Sequence, residues 1–304
     1  MPPISSVDVI INATSGFQDK EEVRRRLQEL FTASGVEARI SIAQTGRQVD
    51  ELARSAARSS AEVIVAGGGD GTISTIASAI IECGSDKVLG VVPLGTLNHF
   101  AQDLHIPLAP DEAARVILAG YKARIDVGEV NGRIFLNNSS LGLYPTIVRE
   151  REKQQRLGFG KWPAFVWAAL TVLRRYPFLD ARLLLAGAQL NCRTPFVFIG
   201  NNEYAMEVFK IGHRKGLNGG KLSLYITNRI GRLGLIRLGL RALFGRLRNE
   251  KDFVAMTTDE VKIETHRKHL RVAFDGEIDI LKTPLHYRAR PHLLPVIVPE
   301  QETE

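Results

Sequence analysis

Apolar positions along the chain follow one rhythm up to about Lys122 and another beyond it. Val7–Asn12 is a short buried-strand run, and from Gln18 to Ala33 the apolar residues Val23, Leu27, Leu30 and Phe31 share one helical face. Ala38–Ala43 predicts a second strand, and Thr45-Gly46 opens a second helix through Val49, Leu52, Ala53 and Ala56. Val63–Ala66 predicts a third strand, followed by helical spacing at Ile73, Ile76, Ala77, Ile80 and Ile81. Val88–Val92 and the helical stretch Asp111–Ala119 continue the alternation. Strands alternating with helices predict a parallel sheet covered on both faces. Such sheets bind ligands at the carboxyl ends of their strands. Asn12, Thr45 and Gly67–Thr72 all fall there.

Beyond Lys122 the alternation stops. Arg124–Val130 and Arg133–Asn138 flank Asn131-Gly132, the signature of a hairpin with a type I′ turn. Ala181–Leu185, Pro195–Gly200, Lys221–Thr227, Asp252–Thr257, Glu260–Thr265 and His269–Phe274 read as further strands. The expected fold is an α/β N-terminal domain with a parallel sheet over 1–122 and a mostly β, sandwich-like domain over 123–304. Two segments interrupt the strands. Arg156–Phe178 mixes Phe159, Trp162, Phe165, Trp167, Tyr176 and Phe178 with arginine and lysine. Arg229–Arg248 places Leu233, Ile236, Leu240, Leu243, Phe244 and Leu247 within an arc of roughly 100°. Arg237, Arg241 and Arg248 edge that arc, a face suited either to an anionic membrane or to packing on the sandwich. Gly231, Gly234, Gly239 and Gly245 weaken the helix reading.

The strongest chemical signal is Val63-Ile64-Val65-Ala66-Gly67-Gly68-Gly69-Asp70-Gly71-Thr72-Ile73. A strand, a glycine turn and a helix N-terminus form an anion-binding layout, because glycine lets the backbone approach a ligand and helix N–H groups favour phosphate. No Gly-Lys-Ser/Thr closes the turn, so it is not a Walker A loop, and Thr72 breaks the dinucleotide fingerprint. Thr72 is placed to cap the helix or touch a phosphate. Asp70 is the odd member: a carboxylate beside a phosphate site needs a metal, a substrate hydroxyl or a cation, or else serves only to hydrogen-bond nearby backbone. A second strand-to-helix turn, Pro93-Leu94-Gly95-Thr96-Leu97-Asn98-His99-Phe100-Ala101, repeats the theme. Thr96 and Asn98 there suit either a ligand or a helix cap.

Composition narrows the function classes. The chain has 304 residues, 44% apolar and 24% charged, with room for two domains. No stretch reaches the roughly 18 uninterrupted apolar residues of a membrane span. No basic segment leads into an apolar core at the N-terminus, which reads against secretion. Cys83 and Cys192 lie far apart without metal-ligand spacing and suit a reducing compartment. A net charge of +7 invites acidic partners, but no aromatic-interleaved basic strand or zinc pattern points to nucleic acid.

Gly68–Thr72, then Pro93–Ala101, then Asp275-Gly276-Glu277 resemble the diacylglycerol kinase catalytic-domain family in motif and order, over nearly the whole chain. That family includes bacterial lipid kinases and sphingosine kinases. The first motif alone also fits NAD kinases; the second favours lipid kinases. The resemblance implies an NAD kinase/diacylglycerol kinase-like fold in which residues 290–304, with a strand near Leu293–Val298, return to the first domain and the active site lies between domains. It implies ATP-dependent transfer of the γ-phosphoryl group to a lipid hydroxyl, with ATP and Mg2+ as cofactors and Glu277 as general base. Asn12, Thr45, Gly67, Gly68, Gly69, Asp70, Gly71, Thr72, Thr96 and Asn98 are the expected ATP contacts, with Asp70 also needed for turnover. The implied location is cytoplasmic, peripheral to an anionic membrane at its inner face, and a homodimer is compatible. Two departures stand out. His99 occupies a position often held by aspartate, and Gly219 occupies one that is aspartate in members with a structural magnesium. An NAD kinase-like enzyme and a nucleotide-binding or membrane-binding regulator without turnover are the competing readings.

Overall fold

The computed structural model describes residues 4–142, 178–185, 187–204, 216–227 and 253–300. Arg229–Arg248 and all of Arg156–Phe178 except Phe178 lie outside these residues. The described residues divide into two compact units. Unit 1 draws on 1–127, 216–218 and 290–304; unit 2 draws on 128–215 and 219–289.

Unit 1 is the alternating α/β part. Its elements are β1 (Ser6–Asn12), α1 (Lys20–Ala33), β2 (Glu37–Ala43), α2 (Gly46–Ala57), β3 (Val63–Gly68), α3 (Asp70–Glu82), β4 (Val88–Pro93), α4 (His99–Asp103) and α5 (Pro110–Ala119). β1 pairs in parallel with β2 on one side and β3 on the other, and β3 pairs in parallel with β4. β3 and β4 are buried along their whole length, as strands covered on both faces must be. The helix expected from Gln18 begins at Lys20, because the Asp19 carboxylate accepts N–H bonds from Glu21 (2.9 Å) and Glu22 (3.4 Å) and caps it. Val23, Leu27 and Phe31 form its buried face.

The chain steps from β1 to β2 on one side and then returns to add β3 on the other. That reversal opens a crevice at the carboxyl ends of β1 and β3, the place where open α/β sheets bind ligands. Asn12 ends β1 and the glycine turn follows β3, so the topology puts both at the switch point.

Unit 2 is a β-sandwich. Its described strands are the end of β5 (Lys122–Val130), β6 (Arg133–Phe135), β7 (Asn138–Gly142), β8 (Leu179–Leu185), β9 (Ala188–Thr194), β10 (Phe196–Asn201), β11 (Leu222–Thr227), β12 (Phe253–Thr258), β13 (Glu260–Thr265), β14 (His269–Phe274), β15 (Glu277–Lys282) and the start of β16 (Leu285–Ile297). One sheet runs β12-β11-β10-β7-β14-β15; the other contains β16-β13-β8-β9. Leu141, Val197, Ile199, Leu224 and Val272 from the first meet Leu183, Val261, Ile263, Leu285 and Tyr287 from the second in one buried core. In unit 1, Val296 of β16 pairs in parallel with Leu89 of β4.

Three differences from the sequence pattern have physical causes. Asn131 and Gly132 do turn with positive φ (47° and 83°), but the expected second hairpin strand divides. β6 stays with β5, while β7 joins the other sheet, and the break at Leu136–Asn137 is held by side-chain bonds described below. β9 and β15, both sheet edges, have no counterpart in the hydrophobic pattern, because none of their apolar residues is fully buried. Among the described residues, no helix is long and apolar enough to cross a membrane.

Candidate active site

The glycine turn of unit 1 is close-packed backbone. A Cβ on Gly67 would lie 3.0 Å from the Ile11 side chain, and one on Gly68 would lie 2.5 Å from Thr72. A Cβ on Gly95 would sit 2.5 Å from the Gly69 Cα and 2.7 Å from Asn98 Oδ1, so the two strand-to-helix loops touch glycine to glycine. Gly16, at φ +61°, brings a third loop against the Leu94 carbonyl. Gly95→Ala is therefore expected to destabilise unit 1 by about 1–3 kcal/mol through overpacking, read as a lower urea midpoint at constant slope. A variant with the wild-type midpoint would mean that the loops part at no cost.

α3 starts at Asp70 with Gly69 as N-cap and no side-chain capping bond. A glycine N-cap offers no side-chain acceptor of its own to the positive dipole end, the arrangement a phosphate exploits. Thr72 is not a cap. Its hydroxyl accepts from Asn12 Nδ2 at 2.9 Å, while Asn12 Oδ1 accepts from Thr14 N (3.0 Å) and Thr14 Oγ1 (2.9 Å). Asn12 thereby ties the loop after β1 to the helix after β3.

Asp70 reaches backbone of the second loop. Its carboxylate accepts from His99 N at 3.2 Å and Phe100 N at 2.9 Å, capping α4 from another loop. Asn98, the N-cap residue of α4, makes no capping bond. It sits at φ 52° with Oδ1 accepting from Gly95 N (2.9 Å) and Nδ2 donating to Gly95 O (3.0 Å), which closes the second loop on itself. Thr96 is exposed on that loop. Thr45 caps α2, its hydroxyl accepting from Gln48 N at 3.2 Å. The structure thus brings Asn12, Gly67–Thr72, Gly95 and Asn98 into one hydrogen-bonded patch. Thr45 stands apart from that network.

Glu277 opens β15 in unit 2. The turn before it, Asp275-Gly276, has φ values of 49° and 89°, both left-handed, as a two-residue type I′ hairpin turn requires. Asp275 is buried, and its carboxylate accepts from Leu136 N (2.6 Å), Asn137 N (2.8 Å) and Asn138 N (3.1 Å). Glu277 reaches solvent, yet partial desolvation first and the Asp275 charge second push its carboxyl above the ordinary 4.5. Asp279 adds to the rise and Arg133 opposes it. Arg133 lies 3.6 Å from Asp279 and stacks 5.6 Å from the centre of the Phe274 ring.

The described residues include no group of three or more His, Cys, Asp or Glu side chains fit to hold a metal. At Gly219 the position expected to lack a carboxylate is filled differently: Gly219 N donates to Asn202 Oδ1 at 2.9 Å. A Cβ there would stand 3.0 Å from that oxygen, so the Asn202 amide lies directly against this turn.

A family model described as diacylglycerol kinase catalytic domain matches residues 6–130, and one described as YegS C-terminal NAD kinase beta sandwich-like domain matches residues 143–298. The chain belongs to the diacylglycerol kinase catalytic-domain family. It is 25% identical over 279 residues to a diacylglycerol kinase of Bacillus subtilis, covering 88% of each chain. It is 30% identical over 155 residues to a probable lipid kinase YegS of Escherichia fergusonii, covering 50% of this chain and 51% of that one. A crystal structure of a diacylglycerol kinase from Bacillus anthracis superposes with a TM-score of 0.72 at 18% identity over 97% of both chains. Membership in the diacylglycerol kinase family makes this a chain of lipid-kinase type. Both glycine loops fall in the first matched region, and Asp275 and Glu277 in the second.

Proposed function

We propose that this protein transfers the γ-phosphoryl group of ATP to the hydroxyl of a lipid. The observation that carries the reading is the mutual closure of the two glycine loops around an α3 N-terminus that no side chain caps. Backbone N–H groups there would hold phosphate oxygens, with Asn12 and Asp70 keeping the loops in register. Phosphoryl transfer asks little covalent chemistry of the protein beyond this positioning and charge stabilisation. Magnesium bound to ATP would neutralise phosphate charge. Glu277 accepts the proton of the lipid hydroxyl as it attacks, a role suited to a carboxyl raised above its ordinary value.

The test is transfer of labelled phosphate from ATP to a panel of diacylglycerols, monoacylglycerols and sphingoid bases in mixed micelles. Label in one lipid class is expected. Label in NAD instead would make the protein an NAD kinase, and nucleotide binding without any product would make it a regulator.

A lipid kinase must meet an acceptor whose acyl chains stay in the bilayer. The membrane-binding helix expected at Arg229–Arg248 lies outside the described residues, so we propose a contact of a different kind. Phe17 and Leu97, 92% and 62% exposed, are the most exposed large apolar side chains described, and both sit on the loops of the proposed phosphate site. Neither Ala13–Gln18 nor Leu94–Asn98 contains a charged residue to resist entry into lipid. Phe17→Ser/Leu97→Ser is expected to cut co-sedimentation with phosphatidylcholine–phosphatidylglycerol vesicles about tenfold, with the loss persisting at high salt because apolar insertion is not screened. Unchanged sedimentation would place the membrane contact elsewhere on the chain.

A further inference from the structure

We propose that Asp275 is a positioning residue that aims Glu277 by locking the turn from which β15 begins. The inference rests on the lipid-kinase reading of Glu277 and adds to it the device that holds that glutamate in place. The geometry is unusual for a surface hairpin. Asp275 stands at φ 49°, a conformation that L-residues other than asparagine and aspartate rarely adopt. Most two-residue turns hold it only through their own hairpin bonds. Here the Asp275 carboxylate also takes three consecutive backbone N–H groups, of Leu136, Asn137 and Asn138, while Asp275 N donates to the Asn138 carbonyl at 3.0 Å.

The receiving segment is itself fastened from its other side. Asn201 Nδ2 donates to Leu136 O, and Asn201 N and Tyr204 Oη both donate to Asn137 O, each at 2.9 Å. Asn201 and Tyr204 are buried. The turn therefore cannot rock without breaking hydrogen bonds that water cannot replace, and a broken buried bond is far costlier than an exposed one. Glu277 is the first residue beyond the turn, paired with Phe274, so its backbone follows the turn directly.

The same carboxylate has an electrostatic effect. Among the described residues, the charged groups facing Glu277 are Asp275 from the turn, Asp279 from its own strand and Arg133 from β6. Asp275 and Asp279 favour the protonated form of Glu277, and Arg133 favours the ionised form. A base raised in this way takes a proton more readily once ionised. Position and basicity would then come from one buried side chain.

The test is Asp275→Asn in the full-length protein. Asparagine keeps the volume but offers one acceptor oxygen and no charge. The expected result is kcat lower by about tenfold to a hundredfold, KM for ATP within about twofold of wild type, and an acid limb of the kcat–pH profile moved to lower pH. Carbon-13 NMR should show the Glu277 side-chain carboxyl titrating lower in the variant by the same interval. Tyr204→Phe loosens the receiving segment without touching a charge, and should lower kcat while leaving the acid limb in place. It also carries the test if Asp275→Asn fails to fold. An Asp275→Asn protein with wild-type kcat, or with an unmoved limb and unmoved Glu277 titration, would overturn the proposal; so would Tyr204→Phe with wild-type kcat. Wild-type protein inactive on every lipid would defeat the kinase reading instead, and the Glu277 titration would still decide whether Asp275 sets its basicity.

Discussion

Glu277→Gln is expected to lower kcat by about 10²–10⁴-fold at saturating lipid, the range for loss of a general base. Saturation matters, because a lipid bound more weakly would otherwise pass for lost chemistry. Glutamine is isosteric and keeps the hairpin pairing of Glu277 with Phe274, so a large loss points to the proton rather than to the fold. Two further signs accompany it. The wild-type rate should fall with acid through a limb above pH 4.5, because the base must be ionised and its carboxyl is raised. Stability should move the opposite way. A carboxyl whose pKa is higher folded than unfolded contributes stability at low pH that is lost as pH rises through the folded value, so its charge is a net burden at neutral pH. Glu277→Gln should therefore melt slightly above wild type at pH 7 and lose that advantage toward pH 4. A variant within a few-fold of wild-type kcat would move the base role to another residue. Asp275 would be a poor successor, since its carboxylate already serves three backbone donors.

Asp70→Asn should leave the fold intact and reduce turnover by about tenfold to a hundredfold, the scale on which small misplacements of a reacting group act. The two N–H groups of His99 and Phe100 now share one carboxylate. An asparagine satisfies one of them with Oδ1 and turns an N–H donor toward the other. α4 and the loop before it would shift relative to the glycine turn, which that loop touches at Gly69. Circular dichroism and a thermal melt establish that the fold persists; ATP turnover then reads the displacement. Near-normal activity would remove Asp70 from the mechanism and leave it as a loop brace.

His99 illustrates how a motif position changes meaning in its surroundings. The resemblance draws attention to the side chain at this position. In the folded chain the His99 backbone N–H is one of the two groups that Asp70 holds. Any residue except proline supplies that donor, so substitution at 99 is compatible with the same loop closure. Thr72 and Asn98 make a related point. Each carries the chemistry of a helix cap and neither caps: Thr72 lies inside the first turn of α3 and meets Asn12, and the Asn98 amide is taken by Gly95.

The hydrophobic rhythm alone determined the architecture: apolar runs broken by helical spacing for the α/β part, then strand after strand for the sandwich. Glycine turns at the ends of β3 and β4, the Asn131-Gly132 turn and the Asp275-Gly276 turn were legible too. These are local properties, in which side-chain period and backbone freedom act within a few residues. β9 and β15 escaped that rhythm, since none of their apolar residues is fully buried, whereas the edge strands β2 and β12 were legible. Partnership was decided only by the tertiary structure. Asn12 meets Thr72 across 60 residues, Asp70 meets Phe100 across 30, and Asp275 meets Leu136 across 139. A carboxylate carries no mark of which distant N–H it will accept; parallel strand order and sandwich pairing bring the two within reach, and the high cost of burying either group unbonded then holds them together.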